Sequence, residues 1–567
     1  MNEKDDKDRT VRIGSREVVG LGSFHKTLPH NEFGEVERRA FRELLAATAG
    51  DGSGFGNVAK GSRNAAKLSN PQSGLSADQL IHHPASYSLP SAPSVLSETI
   101  ATEMTELYWM SVLRDIPFNE FEIDPLIGQA SSEVDELFRG AISTEAEGFI
   151  RGTDLPNSNS ESTIVTRKNL FRLGAKNEDI GPMLSQFFVR PVSYGTQTID
   201  VRQRPYKSGR DYLTKFDEWL SAQNSGKDRA GQSYSKANED SSKNFESSNR
   251  YISTMRDLSR FVNKDALYQA FLNTAIILLS GEAKWTQGNP YGDFGRLRDR
   301  EAGFGVLGGP HILALVSEVA TRALKVVWNQ KWQTHLRLRP EAYGGLVHVQ
   351  NIGVKGVTRP YGLPEWVSQT EAANMIRAKH GTLLLPMSYT PGSPTHPAYG
   401  AGHATVAGAC VTVLKAFFKT FETVDGVDRG VPFNTLVERD KPYGPKKEIV
   451  SYITGYRNKK WDRFRLGKSI ASKLTIEGEL NKLAQNVAMG RSMGGVHWRT
   501  DNTRSLVLGE ALAAEILADI TNDANEKPEF EFRTFARKED GEPKKVSIRQ
   551  GKIYVDGKLK DTHTSAL

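Results

Sequence analysis

Six segments in the second half of the chain, 264–280, 310–337, 364–379, 403–421, 465–490 and 502–521, carry apolar residues three and four positions apart or run almost wholly apolar. That period puts them on one face of an α-helix, and helices with apolar faces must bury those faces against one another. The pattern predicts a mainly α fold: a helix-bundle core over 251–525 with a few short strands and hairpins around it. Beyond 525 the period changes. VSIR and KIYVDG, separated by Gln550 and Gly551, alternate and predict a surface hairpin in a C-terminal extension, 526–567.

Residues 1–250 read as a helical and loop-rich region that contributes packing and oligomer contacts. Residues 1–30 are charged or irregular and read as a tail, followed by helical spacing at 32–49, 95–113 and 209–224 and shorter pieces at 133–139 and 180–187. Tyr108 and Trp109, inside the second of these, are expected in the core. The stretch GKDRAGQSYSKANEDSSKNFESSNR, 226–250, has almost no apolar content and reads as a surface excursion.

Charge and cysteine content narrow the function classes. With 74 Lys and Arg against 67 Asp and Glu the net charge is +7 over 567 residues, and no window holds the dense basic run that tracking a nucleic acid needs. The lone Cys410 lies in an apolar stretch and is expected to be a small buried hydrophobe, with no internal disulfide to form. Charges occupy the first twenty positions where the apolar part of a secretory signal would stand, and no run reaches the roughly 18 apolar residues of a membrane span, so neither export nor membrane insertion is expected.

Three short segments gather groups that handle anions. WNQKWQTHLRLRP, 328–340, sets Lys331 and Arg339 near the end of a helix that Pro340 is expected to stop. Taken alone, these would be the cations of a solvated helix end, complementing its dipole. THPAYGAGHATVAGACVTVLKAFF, 395–418, turns at Gly400, Ala401 and Gly402 into a helix beginning near His403. The N–H groups of such a start form an anion site, and a histidine there can exchange a proton with the anion. In GRSMGGVHWRTDN, 490–502, Arg491 and His497 are six apart, and Gly494 and Gly495 between them can bend the chain so that both side chains converge. Asp501, four after His497, is expected to orient an imidazole or pair with an arginine. Together Lys331, Arg339 and Arg491 supply three positive charges, two of them with the planar donor fork suited to a tetrahedral oxyanion. His497 is then the candidate to attack or coordinate the central atom, and His403 the acid–base group.

K-x7-R-P at 331–340, G-A-G-H at 400–403 and R-x5-H-x3-D at 491–501 resemble, in that order, the three-part signature of the vanadium-dependent haloperoxidases and their relatives, the phosphatidic-acid-phosphatase-like acid phosphatases. PHILALVSEVATRALKVVWNQKW and the 395–418 segment look like the larger bromoperoxidases of red algae and cyanobacteria, with the likeness clearest over 260–520. The resemblance implies vanadate as cofactor, with His497 as the axial ligand of vanadium. Lys331, Arg339, Arg491 and the Gly402 backbone would hold the equatorial oxygens, and His403 would hydrogen-bond the apical one. It further implies hydrogen peroxide, halide and small organic acceptors as reaction partners. Vanadate would act as a Lewis acid without changing oxidation state, and hypohalous acid would be the product.

His396, seven before His403, falls where bromoperoxidases of this family carry a second histidine, which favours bromide, and iodide with it. Trp328, three before the lysine, matches the fungal chloroperoxidases and leaves chloride open. Ala401 stands where the family usually has serine, so one donor to the oxyanion is missing. A hydrogen bond to a charged group is worth about 1.5–3 kcal/mol, which implies weaker vanadate retention unless a water fills the gap. The motifs alone also fit an acid phosphatase using a phosphohistidine at His497. Ala401 leaves room for a third reading, a non-catalytic oxyanion-binding assembly protein. Relatives of this kind imply a dimer-based homo-oligomer reaching dodecamers. The resemblance also admits a structural calcium, for which 286–295, TQGNPYGDFG, offers carbonyl, amide and Asp293 oxygens without the carboxylate count of a strong site.

Overall fold

The helix Gly402–Phe417 has no charged side chain before Lys415, and every residue in it except His403 is buried. A helix that is apolar all round needs neighbours on all sides. Arg499–Asp523, Gly309–Asn329 and Ile476–Met493 supply them. The approach of Arg499–Asp523 is close because both helices carry glycine at the crossing. A Cβ on Gly408 would lie 2.1 Å from the Leu506 carbonyl oxygen, and one on Gly509 would lie 2.0 Å from that of Thr405. This computed structural model describes residues 10–13, 16–76, 78, 83–145, 165–236, 242–439, 444–538, 541–560 and 567.

The mainly α bundle read from the apolar period is the observed architecture, and several boundaries move for identifiable reasons. The 264–280 pattern begins later, in the helix Gln269–Ser280, and is preceded by a separate helix, Met255–Lys264, capped by the Thr254 hydroxyl on the Asp257 amide. The 465–490 pattern is broken: Arg465 ends the hairpin Tyr452–Arg457 and Lys460–Arg465, Lys468–Ala471 is a single short helical turn, and the long helix begins at Ile476, where Thr475 caps the Gly478 amide. The helix Pro340–Asn351 escaped the sequence reading because Pro340 through Val349 are all buried, so no polar face marks its period. In the first half, Arg38–Ala49, Glu98–Val112, Pro125–Glu145 and Phe216–Ser225 are helical, whereas 180–187 is a run of turns leading to the 3-10 turn Gln186–Phe188. Tyr108 and Trp109 are fully buried, as is Cys410.

The tail expected over 1–30 is corrected from residue 10 on, residues 1–9 lying outside the described residues. Thr10–Ile13 pairs with Arg16–Val19, and the next residues are built into the bundle: Leu21, Phe24 and Leu28 are buried, Phe24 meets Trp332 edge-on, and the Phe24 and Leu338 amides bond the carbonyls of Leu336 and Gly22. This segment clamps the chain between Lys331 and Arg339.

The C-terminal hairpin forms at Gln550 and Gly551, whose φ of 50° and 71° are those of a tight two-residue turn, but it belongs to more than a surface hairpin. Glu529–Arg537, Pro543–Arg549, Lys552–Val555 and Lys558–Leu559 make a four-stranded antiparallel meander. Its inner face, Phe530, Phe532, Val546 and Ile548, is buried, with Phe530 stacked on Phe417 at 5.1 Å. The remaining strands pair as short antiparallel hairpins. Among the described residues no helix is long and apolar enough to cross a membrane.

Candidate oxyanion site

The three cations come from three different interruptions of helices. After Asn329 the helix widens into the π-helical turn Gln330–His335 and ends at Leu336, where φ is positive, so it stops before Pro340, which instead opens the next helix. Lys331 lies in that turn, fully buried, with Nζ donating to the carbonyls of Pro397 at 2.9 Å and Ala398 at 3.1 Å. Arg339 is the N-cap residue of Pro340–Asn351; its guanidinium donates to the carbonyls of His396, Val496 and Pro397 and meets His497 Nε2 at 3.0 Å and His396 Nδ1 at 2.9 Å. Arg491 sits in the last turn of Ile476–Met493 and donates to the Val262 carbonyl at 2.8 Å and the Tyr234 hydroxyl at 2.5 Å.

The glycine pair after Arg491 does turn the chain. Ile476–Met493 ends at Gly494, Gly495 adopts φ 83°, and Arg499–Asp523 starts four residues later, leaving His497 between two helix ends. Asp501 takes both roles open to it. One oxygen accepts from His497 Nδ1 at 2.9 Å and from the Trp498 amide at 3.0 Å, and the other accepts from Arg337 at 2.7 Å. A carboxylate at Nδ1 keeps the proton there, so Nε2 presents its lone pair beside Arg339. Arg337, which the sequence reading passed over, is in turn fixed by Thr500 and by buried Glu103.

At the start of Gly402–Phe417 the first helical bond runs from the Thr405 amide to the Ala401 carbonyl, so the Gly402 and His403 amides have no partner within the helix. Ala401 is buried, and its amide is taken by Ser505 Oγ at 2.8 Å. His403 Nε2 pairs with Asp265 Oδ1 at 3.0 Å, at the end of Met255–Lys264. Of the two residues read for the halide, Trp328 and His396 come together, with ring centroids 5.0 Å apart.

Electrostatics single out this cluster. Burial first, then Arg339, Lys331 and Arg491, push His497 well below the usual histidine range, so its imidazole is neutral. Burial and the same cations do so for His396, and burial lowers His403 against the pull of Asp265. Burial and Arg339 depress Lys331, and burial with Arg491 beside it brings Arg339 down to about 9. Many buried cations elsewhere meet carboxylates, as in Lys26 with Glu341, Arg114 with Asp211, Arg499 with Glu106 and Arg533 with Glu477, while buried Lys415 and Arg172 lean on carbonyls. Among the described residues Lys331, Arg339 and Arg491 form no ion pair and lean on carbonyls, imidazoles and a phenol. Three buried, mutually repelling charges held this way suit an anion supplied from outside. Arg491 Nε, buried with no partner, and the lone pair of His497 Nε2 fit a tetrahedral oxyanion whose central atom accepts a nitrogen ligand, which is the donor set vanadate takes.

One contributor contradicts the sequence reading. Tyr234 comes from the 226–250 stretch, in the 3-10 turn Tyr234–Lys236, and its phenol is in the cradle against Arg491. The stretch is not a mere surface excursion; its composition hid Tyr234 among polar residues. Asp265 was missed for a similar reason, since nothing in its own segment pairs it with a histidine 138 positions away. In 286–295, Asn289 spends its amide on the Leu307 carbonyl and the Tyr291 amide, and exposed Asp293 lies 3.8 Å from Lys284. Among the described residues no three acidic, histidine or cysteine side chains gather for a metal ion.

Residues 311–526 match the family model of the VCPO second helical-bundle domain. A vanadium-dependent bromoperoxidase of Ascophyllum nodosum is 31% identical over 98% of this chain and 94% of its own, and one of Corallina pilulifera is 33% identical over 79% and 75%. The solved homohexameric second vanadate-dependent bromoperoxidase of Ascophyllum nodosum superposes with a TM-score of 0.75 at 27% identity, covering 96% of this chain and 87% of that one. With likeness of sequence along nearly the whole chain and a cradle that the three motifs build around buried cations without ion pairs, this chain belongs to the vanadium-dependent haloperoxidase family.

Proposed function

We propose that the chain is a vanadate-dependent bromoperoxidase, oxidising bromide, and iodide with it, by hydrogen peroxide to hypohalous acid that halogenates small organic acceptors. The observation that carries this is the set Lys331, Arg339 and Arg491, buried around His497 without a carboxylate of their own. Lys331, Arg339, Arg491 and the Gly402 and His403 amides would hold the oxygens of vanadate, and His497 Nε2 would bind vanadium. Vanadate so held supplies Lewis-acid activation of peroxide toward halide.

The protein residues prepare that chemistry. Asp501, itself held by Arg337, keeps the proton on His497 Nδ1 and strengthens Nε2 as a donor. Asp265 holds His403 Nε2, which leaves Nδ1 to take a proton from an incoming peroxide and to return it when the product departs. Trp328 and His396 form an aromatic wall beside Arg339, the place where a halide would meet both a cation and polarisable rings. The hexameric relative supports a homo-oligomer for this chain as well.

The protein stripped by phosphate or chelator at acid pH should brominate a phenol dye with bromide and peroxide only after vanadate is added back, and phosphate should block it. Aryl-phosphate hydrolysis without bromination would move the chain to the phosphatase chemistry, and silence in both assays would refute a catalytic role.

A further inference from the structure

The family cradle counts on a hydroxyl that Ala401 does not have, yet the structure brings another one in. Tyr234 Oη accepts a hydrogen bond from Arg491 Nη1 at 2.5 Å, and the Arg491 guanidinium stands 5.4 Å from the Tyr234 ring centre. The ring is fixed edge-on against buried Tyr389 at 5.4 Å. Because the guanidinium has no acceptor capacity, the phenol keeps its own proton to donate, and no acceptor for it lies among the described residues. Asp265, the nearby carboxylate, leaves Oδ2 buried and unpartnered and does not take that proton. Arg491 Nε beside it is likewise buried and unpartnered. Two donors with nothing to bond, within one arginine–phenol pair of the cradle, point to oxygen atoms of a bound ligand.

We infer that Tyr234 is an oxyanion-binding residue whose hydroxyl donates to an oxygen of the bound vanadate or phosphate, supplying the donor that Ala401 lacks. The inference rests on the oxyanion reading of the cradle. It gives the polar 226–250 stretch a purpose: a segment with few apolar residues of its own is pinned to the bundle through Tyr234 on Arg491 and Tyr389, besides Phe245 on Tyr206.

The test is calorimetric titration of the vanadate-free protein with orthovanadate and, separately, with inorganic phosphate, for the unsubstituted chain, Tyr234→Phe, Ala401→Ser and the double variant. Phenylalanine keeps the ring packing and removes the hydroxyl. Tyr234→Phe should bind both oxyanions roughly ten- to hundred-fold more weakly, and Ala401→Ser in that background should recover most of the loss. Phosphate should also shift the near-ultraviolet tyrosine absorbance of the unsubstituted protein, and that shift should be lost in Tyr234→Phe. Unchanged affinity in Tyr234→Phe, a loss that Ala401→Ser does not recover, or an absorbance unmoved by phosphate would each overturn the inference and leave the oxyanion reading standing. No binding of either ion by the unsubstituted protein would overturn both.

Discussion

Replacing Asp501 by asparagine tests the chain of contacts behind His497. The carboxylate accepts from three donors at once: His497 Nδ1 and the Trp498 amide on one oxygen, and Arg337 on the other. An amide has one oxygen and one NH2 group. With the oxygen toward His497, the NH2 faces Arg337 and leaves donor against donor. Turned over, it faces the Trp498 amide and forces His497 to carry its proton on Nε2. Either way a buried donor is unmatched, at about 1–3 kcal/mol, and Arg337 keeps only Glu103 of its two carboxylates. Breaking a buried charge pair costs about 3–5 kcal/mol, so Asp501→Asn should lose stability of that order in chemical denaturation.

The effect on binding should be selective. Vanadate needs the His497 Nε2 lone pair and should bind about 10–100-fold more weakly, the usual consequence of removing the group that orients a metal-binding histidine. Phosphate, which needs no lone pair from His497, should lose less. Titrating vanadate-free protein with both ions measures the ratio. Equal losses, or no loss for vanadate, would refute the claim that Asp501 sets the histidine's tautomer.

Phosphate at a hundred times its dissociation constant should stabilise the vanadate-free protein by about 2.7 kcal/mol, and Lys331→Met should remove most of that increment, read as the shift in thermal unfolding with and without phosphate. His25 Nδ1 and His30 Nε2 lie 2.7 Å apart; burial, and for His25 the neighbouring His30, push His25 well below the usual range and burial brings His30 down to about 4. The unfolded chain then binds protons from about pH 6.5 downward while folded His30 does not until about 4, so stability should fall across that window by about 3 kcal/mol from His30 and level off below it. Denaturation midpoints between pH 7 and 4 should show this slope, and His30→Gln should lessen it by the His30 share, leaving that of buried His25. Phe532→Ala, emptying a fully buried position in the C-terminal sheet, should cost about 3–5 kcal/mol in denaturation. Oxyanion affinity should stay unchanged, because that sheet packs at the Phe417 end of a helix whose other end, roughly 20 Å away, carries His403.

The period of apolar residues was enough to announce the bundle, because a helix that is apolar on one face has no stable alternative to packing. It failed at Pro340–Asn351, where burial on every side erases the polar face, and at residues 10–28, whose strands are short and whose clamp bonds distant chain. The motif residues were legible one by one: Lys331, Arg339, Gly402, His403, Arg491, His497 and Asp501 are of the types that bind and protonate an oxyanion, and spacing alone placed Asp501 within reach of His497. What a sequence cannot contain is the balance of charge around them. That Lys331, Arg339 and Arg491 face carbonyls while Lys26, Arg114 and Arg499 face carboxylates depends on which distant segments fold against them. Asp265 reaching His403 and Tyr234 reaching Arg491 across 138 and 257 positions are of the same kind: local period fixes which face of a helix is apolar, but only tertiary packing decides which charges are left for a ligand to neutralise.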